Sequence, residues 1–162
     1  MYKLGRMKYI RSIAQVFLLS SLYGCSEPET GTPVGFVSVL SGGARIDGVL
    51  GNSKLESFDS QLAFEKVATL YSADAVPEID FATNQIVLVD LGERTSGGYS
   101  IRVDSIYESE GALRINATEI QPGSTCFVTA AMMTPYVFVK VFSVGKVEAI
   151  SWKSEVIDCN QK

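Results

Sequence analysis

Histidine is absent from the 162 residues, and tryptophan occurs once. Without an imidazole the chain cannot build a Ser-His-Asp or Cys-His relay. A metal site drawn from its three cysteines would lack the usual partner ligand. Long apolar runs are missing too. The mostly apolar stretch near the start of the chain, residues 13–22, falls short of the roughly 20 apolar residues that cross a bilayer core of about 30 Å. No basic run occurs, so the phosphate neutralisation that drives nucleic-acid binding has no source, and no nucleic-acid partner is expected. No cofactor motif is met either. Gly92 and Gly97 have the gap of a phosphate-binding loop, but Gly98 and Tyr99 stand where Lys and Ser/Thr are required. Arg94 stands two residues before Ser96, where a nucleophile elbow needs glycine.

What is present begins with a leader. Lys3, Arg6, Lys8 and Arg11 precede the apolar stretch, and small residues follow it, the pattern of a secretory signal peptide. Its end, "LYGC" at residues 22–25, resembles the lipobox of bacterial lipoproteins. That resemblance implies cleavage after Gly24 and lipidation of Cys25, the acyl chains holding the protein to a membrane. Ser26, standing where the inner-membrane retention signal has Asp, favours the outer membrane of the cell envelope. The expected organisation is a signal peptide over 1–24, a solvated tether over 25–34, and one globular domain over 35–162. Loss of the leader leaves ten basic against 18 acidic residues, a net charge of −8. Cys126 and Cys159 then remain, and in an exported chain they are expected to pair.

Hydrophobic periodicity predicts one helix. Phe64, Val67, Ala68 and Tyr71 recur at helical spacing after a capping Asp59 or Ser60, and the segment 72–77 ends the pattern. Residues 35–40 read as a first strand. Residues 86–91, "IVLVDL", form a continuous apolar run suited to a strand covered on both faces. Two alternating runs, 99–107 and 112–120, flank the short turn "SEGA" and predict an antiparallel hairpin with Leu113, Ile115 and Ala117 inward. Residues 136–142 and 147–157 predict a second hairpin through "SVGK". The sum is an α+β domain, a mostly antiparallel β-sheet or small β-sandwich of five or six strands with one packed α-helix.

Two polar features and one apolar loop are candidates for function. Glu78 and Asp80 flank Ile79, but the pair reads as the polar approach to a strand and not as glycosidic carboxylates. The loop "GERTSGGYS", residues 92–100, offers Glu93, Arg94, Thr95 and Ser96 as a polar edge. Gly97 and Gly98 supply positive φ for a tight turn, and Tyr99 anchors its ring in the core. The loop 126–136, "CFVTAAMMTPY", places Phe127, Met132 and Met133 between turn signals. Methionines there suit either a partner patch or completion of the core.

Read together, Asp80-Phe81, Gly92-Glu93-Arg94, Gly97-Gly98-Tyr99, Pro122-Gly123 with Cys126, Thr134-Pro135-Tyr136 and the late Cys159 resemble the C-terminal domain of the PrcB family of protease-complex subunits over roughly residues 77–159. The resemblance implies a small domain without enzymatic activity, often on an exported lipoprotein, that acts as an accessory or binding subunit of a protease complex. Residues 93–99 with Met132 and Met133 are its expected contact surface. "TSGGY" also resembles the inhibitory loop of chagasin-type peptidase inhibitors. Glu93-Arg94 replace the Asn-Pro flank of that loop, and no second glycine-rich inhibitory loop is evident. The third possibility is a structural envelope lipoprotein without a dedicated partner.

Overall fold

A computed structural model describes residues 31–159. The leader, Cys25 and most of the expected tether lie outside the described residues. The chain forms β1 (Thr32–Pro33), β2 (Phe36–Gly42), β3 (Lys54–Phe58), α1 (Gln61–Tyr71), β4 (Gln85–Asp90), β5 (Ser100–Ser109), β6 (Ala112–Pro122), β7 (Tyr136–Val141) and β8 (Lys146–Ile157). Two four-stranded sheets result, ordered β1-β5-β6-β8 and β2-β7-β4-β3. Every pairing is antiparallel except β6 with β8.

The layers follow from the side chains of β4 and β7. Successive strand residues point to opposite faces. Ile86 and Leu88 of β4, with Tyr136 and Phe138 of β7, meet Phe64, Ala68 and Tyr71 of α1. Val87, Val89, Val137, Val139 and Val141 face the other way and pack on Ile106, Leu113 and Ile115 of the second sheet. One sheet is therefore sandwiched between the helix and the other sheet. That is why "IVLVDL" carries no alternation, and every residue of β4 is buried. Aromatic rings fill the helix side, with Tyr71 and Phe138 edge-to-face at 5.4 Å and Phe64 and Phe138 at 5.6 Å. Valines fill the inter-sheet side.

The α+β sandwich and its helix match the expectation. The β5–β6 hairpin also forms, with Glu110 and Gly111 both at positive φ in its two-residue turn, the requirement of a type I′ connection. Leu113, Ile115 and Ala117 are buried as predicted. In β5 the inward set shifts from Ile101 and Val103 to Ile106, because a bulge leaves Asp104 as an extra residue between the pairs Val103↔Ala117 and Ser105↔Asn116.

Four details differ. Eight strands occur in place of five or six, because β1 and β3 are added. β1 lies in the segment read as tether and pairs with β5 through Thr32↔Glu108 and Pro33↔Tyr107. Ser60 occupies the N-cap position without a side-chain capping bond. Finally, β7 and β8 do not form a hairpin. β7 sits between β2 and β4, and residues 142–145 carry the chain to the other sheet, where β8 runs parallel to β6. Only the centre of a covered sheet buries both faces of β7, whereas β8 is largely exposed and suits an edge.

Candidate interaction surface

The two loops singled out in the sequence meet at one end of the sandwich. β4 ends at Asp90, which is buried and holds the root of the first loop. One carboxylate oxygen accepts the Gly92 amide at 2.7 Å and the other accepts the Tyr71 hydroxyl at 2.7 Å. Burial, then the bond to Asp90, pushes the Tyr71 phenol well above its usual range. Gly92 has φ 71°, and a Cβ there would strike the backbone of Ser53 and Asn52. The chain then zips onto the second loop. The Arg94 amide donates to the Met133 carbonyl at 2.7 Å, the Met133 amide donates back at 2.8 Å, and the Gly97 amide donates to the Thr129 carbonyl at 2.9 Å.

Arg94 is a pin more than an exposed edge, its side chain only 25% accessible. Its Nε donates to Glu119 Oε1 at 2.8 Å and its Nη1 to the carbonyls of Leu91 and Glu93. The guanidinium lies 5.9 Å from the centre of the Tyr99 ring. Tyr99 is thus half-buried under Arg94 and belongs to neither apolar cluster, contrary to the core anchor expected for it. The two glycines also divide their work. Gly98 takes φ 87° against Val128 and Pro122, whereas Gly97 is needed because a Cβ would collide with the Thr129 hydroxyl. Glu93 and Thr95 are exposed, and Ser96 is half-buried.

The second loop is tied at its start. Cys126 and Cys159 form a disulfide with Cα atoms 4.9 Å apart. Around it the Gly123 amide donates to the Ile157 carbonyl, and the Cys159 amide donates to Thr125 Oγ1. Phe127 is fully exposed, Val128 and Met132 are exposed, and Met133 is half-buried. None of the four joins a core cluster, so the loop does not complete the core. Phe127 and Val128 instead rim an apolar hollow of about 230 Å³ with Ile120, Pro122 and Ile157. On the other side of Arg94, a cleft of about 600 Å³ is lined by Asn52, Ser53, Glu93, Glu119 and Trp152. Val128, Glu119 and Trp152 carried no functional signal in the sequence. Glu119 and Trp152 sit in ordinary strand patterns and only the fold brings them to the loops, whereas Val128 lies within the second loop itself.

Asp80, weighed as half of a carboxylate pair, instead closes a local turn by accepting the Ala82 amide and the Thr83 hydroxyl. Among the described residues no group of three or more His, Cys, Asp or Glu is placed to hold a metal ion. No helix among them is long and apolar enough to cross a membrane.

Fold and site together define a small two-sheet α+β domain whose distinguishing feature is a pair of bonded surface loops. Residues 86–141 match the family model described as PrcB C-terminal, so the chain contains a PrcB C-terminal domain match. The matched segment runs from β4 to the end of β7 and includes both loops, a narrower span than residues 77–159. No curated protein and no solved structure matches the chain.

Proposed function

We propose that this chain is a non-catalytic lipoprotein of the bacterial cell envelope, anchored through Cys25, and that its single globular domain is an accessory subunit for an exported protein, with a protease as the first candidate. The observation that carries this reading is the union of loops 92–99 and 123–135. They are far apart in sequence, joined by backbone bonds at Arg94 and Gly97, and they lie within the matched family segment. A rigid frame that presents Phe127, Val128 and Met132 to solvent favours binding, because apolar side chains held at a surface gain free energy when a partner covers them. The proposed contact set is Glu93, Thr95, Ser96, Phe127, Met132 and Met133. Arg94, Gly97, Gly98 and Tyr99 hold the frame beneath it.

The test is affinity capture from envelope extracts with the lipidated chain, comparing it with the double variant Phe127→Ser, Met132→Ser. One exported protein should be enriched by the parent chain and lost, by at least tenfold, from the variant, with the melting temperature unchanged. Equal recovery of the same proteins by both would sink the proposed surface. Membrane release of Cys25→Ser tests the anchor separately. Titration against cysteine and serine peptidases tests inhibition, and potency that falls with Thr95 or Ser96 variants would favour the inhibitor reading instead.

A further inference from the structure

We propose that the chain self-associates through β8, the edges of two copies pairing antiparallel about a two-fold axis that passes through Ser154. β8 closes one side of its sheet, bonded to β6, and among the described residues it has no strand neighbour on the other side. Such an edge presents a row of unpaired amides and carbonyls. From residue 151 to residue 157 every side chain is exposed on both faces of the sheet, which is unlike any other stretch of strand among the described residues. The bulge opposite Leu113 and Arg114 lies upstream, so Ala149–Ile157 run in unbroken register with β6 and form a regular edge.

The side chains on this edge select the partner. About a two-fold axis perpendicular to the sheet, residues i and j face each other when they are equidistant from the axial residue, and facing pairs share one face. With Ser154 on the axis, Lys153 of each copy faces Glu155 of the other, and Trp152 of each faces Val156 of the other. Opposite charges and an aromatic with a β-branched residue are favourable cross-strand pairs, and symmetry supplies each of them twice. The faces agree with the fold. Glu155 reaches Arg102 on the outer side, whereas Trp152 lines the cleft beside Leu55 and Asp90 on the inner side. Trp152 and Val156 are 40% and 63% accessible in the single chain, and this pairing covers both. With Lys153 on the axis, that residue would face its own copy. With Trp152 on the axis, neither charge would meet an opposite one. This surface is separate from the loop surface of the proposed function and does not depend on it.

The opposing possibility is that Lys153 protects the edge by discouraging pairing. The two roles have opposite signs. The test is disulfide trapping of the purified full chain under a mild oxidant, with a cysteine placed at Ser154. Facing Cα atoms about 4.5–5.5 Å apart suit a disulfide, so Ser154→Cys should give a non-reducing dimer band of twice the chain mass. Ser151→Cys should give at least tenfold less, since its two copies lie roughly 20 Å apart in this register. Adding Lys153→Glu to Ser154→Cys should lower the dimer yield several-fold. The proposal is overturned by no dimer from Ser154→Cys, by equal trapping at residue 151, or by a yield that Lys153→Glu leaves unchanged or raises.

Discussion

β7 and β8 are consecutive strands separated by four residues, yet they occupy opposite environments. In β7 five of six residues are buried, with aromatics toward the helix and valines toward the second sheet. β8 is twice as long and keeps only Val147 and Ile150 against the core. Both read as apolar alternation, and the difference lies in what occupies the second face. On β7 that face carries Tyr136 and Phe138, and burying them drives the strand to the centre of the covered sheet. On β8 it carries Lys153 and Glu155, which keep their hydration at an edge. Short connections favour hairpins, but here the demand for two-sided burial outweighs the local preference and sends the chain across to the other sheet.

The largest contrast is expected from truncating one aromatic in each strand. Phe138 is fully buried and meets the rings of Phe58, Phe64, Tyr71 and Tyr136. Phe138→Ala should cost about 3–5 kcal/mol, the usual range for an emptied aromatic site. Trp152→Ala should cost the single chain less, about 1–2 kcal/mol, because 40% of that residue is already in water and the site it leaves opens to solvent. Urea unfolding of both variants checks the pair, and equal losses would mean that β8 is packed as β7 is.

A smaller effect separates the two ends of β8. Its start is held by the core, whereas its end is held to the second loop by the disulfide and a few hydrogen bonds. Cys126→Ser with Cys159→Ser should lower stability by about 2–4 kcal/mol, the usual value for a cross-link spanning 33 residues. Hydrogen exchange should rise at Gly123, Cys126 and Cys159 while the amides of β4 and β7 stay protected. Uniform loosening would contradict the view that the loop is a satellite of the core.

The same contrast explains how much the sequence could reveal. Elements with a single dominant pattern were legible: the helical spacing of Phe64, Ala68 and Tyr71, the unbroken run of β4, and the turn at Glu110 and Gly111. β3 was not, because "KLESF" shows too little alternation beside the helix that follows it. Strand neighbours were not legible where they depend on which second face is buried, as with β7 and β8. At the surface, both loops were visible through their glycines and methionines, but their union was not. The bonds between Arg94 and Met133 join main-chain atoms, which leave no trace in side-chain identity. Glu119 was equally hidden, as one polar residue in an alternating strand.

The smallest expected effect concerns the outer face of the second sheet, the polar counterpart of its apolar inner face. Asp104, displaced by the bulge in β5, accepts from Arg102 Nε at 2.8 Å and from the Thr118 hydroxyl at 2.6 Å. Burial pushes its carboxyl up, but the bonds from Arg102 and Thr118, helped by the charge of Lys153, outweigh that and hold it below its ordinary value. A carboxylate lowered in the folded state adds stability that is present above its unfolded pKa, about 3.9. That contribution is lost as the pH falls through the lower folded value. The side chain is 26% accessible, so the contribution should stay below about 1 kcal/mol. Asp104→Asn should therefore lower the melting temperature slightly at pH 7 and narrow the gap between pH 7 and pH 2. A gap equal to that of the parent would assign the acid sensitivity elsewhere, with the Arg45–Asp47 pair next in line, because Asp47 is held low by its bond from Arg45.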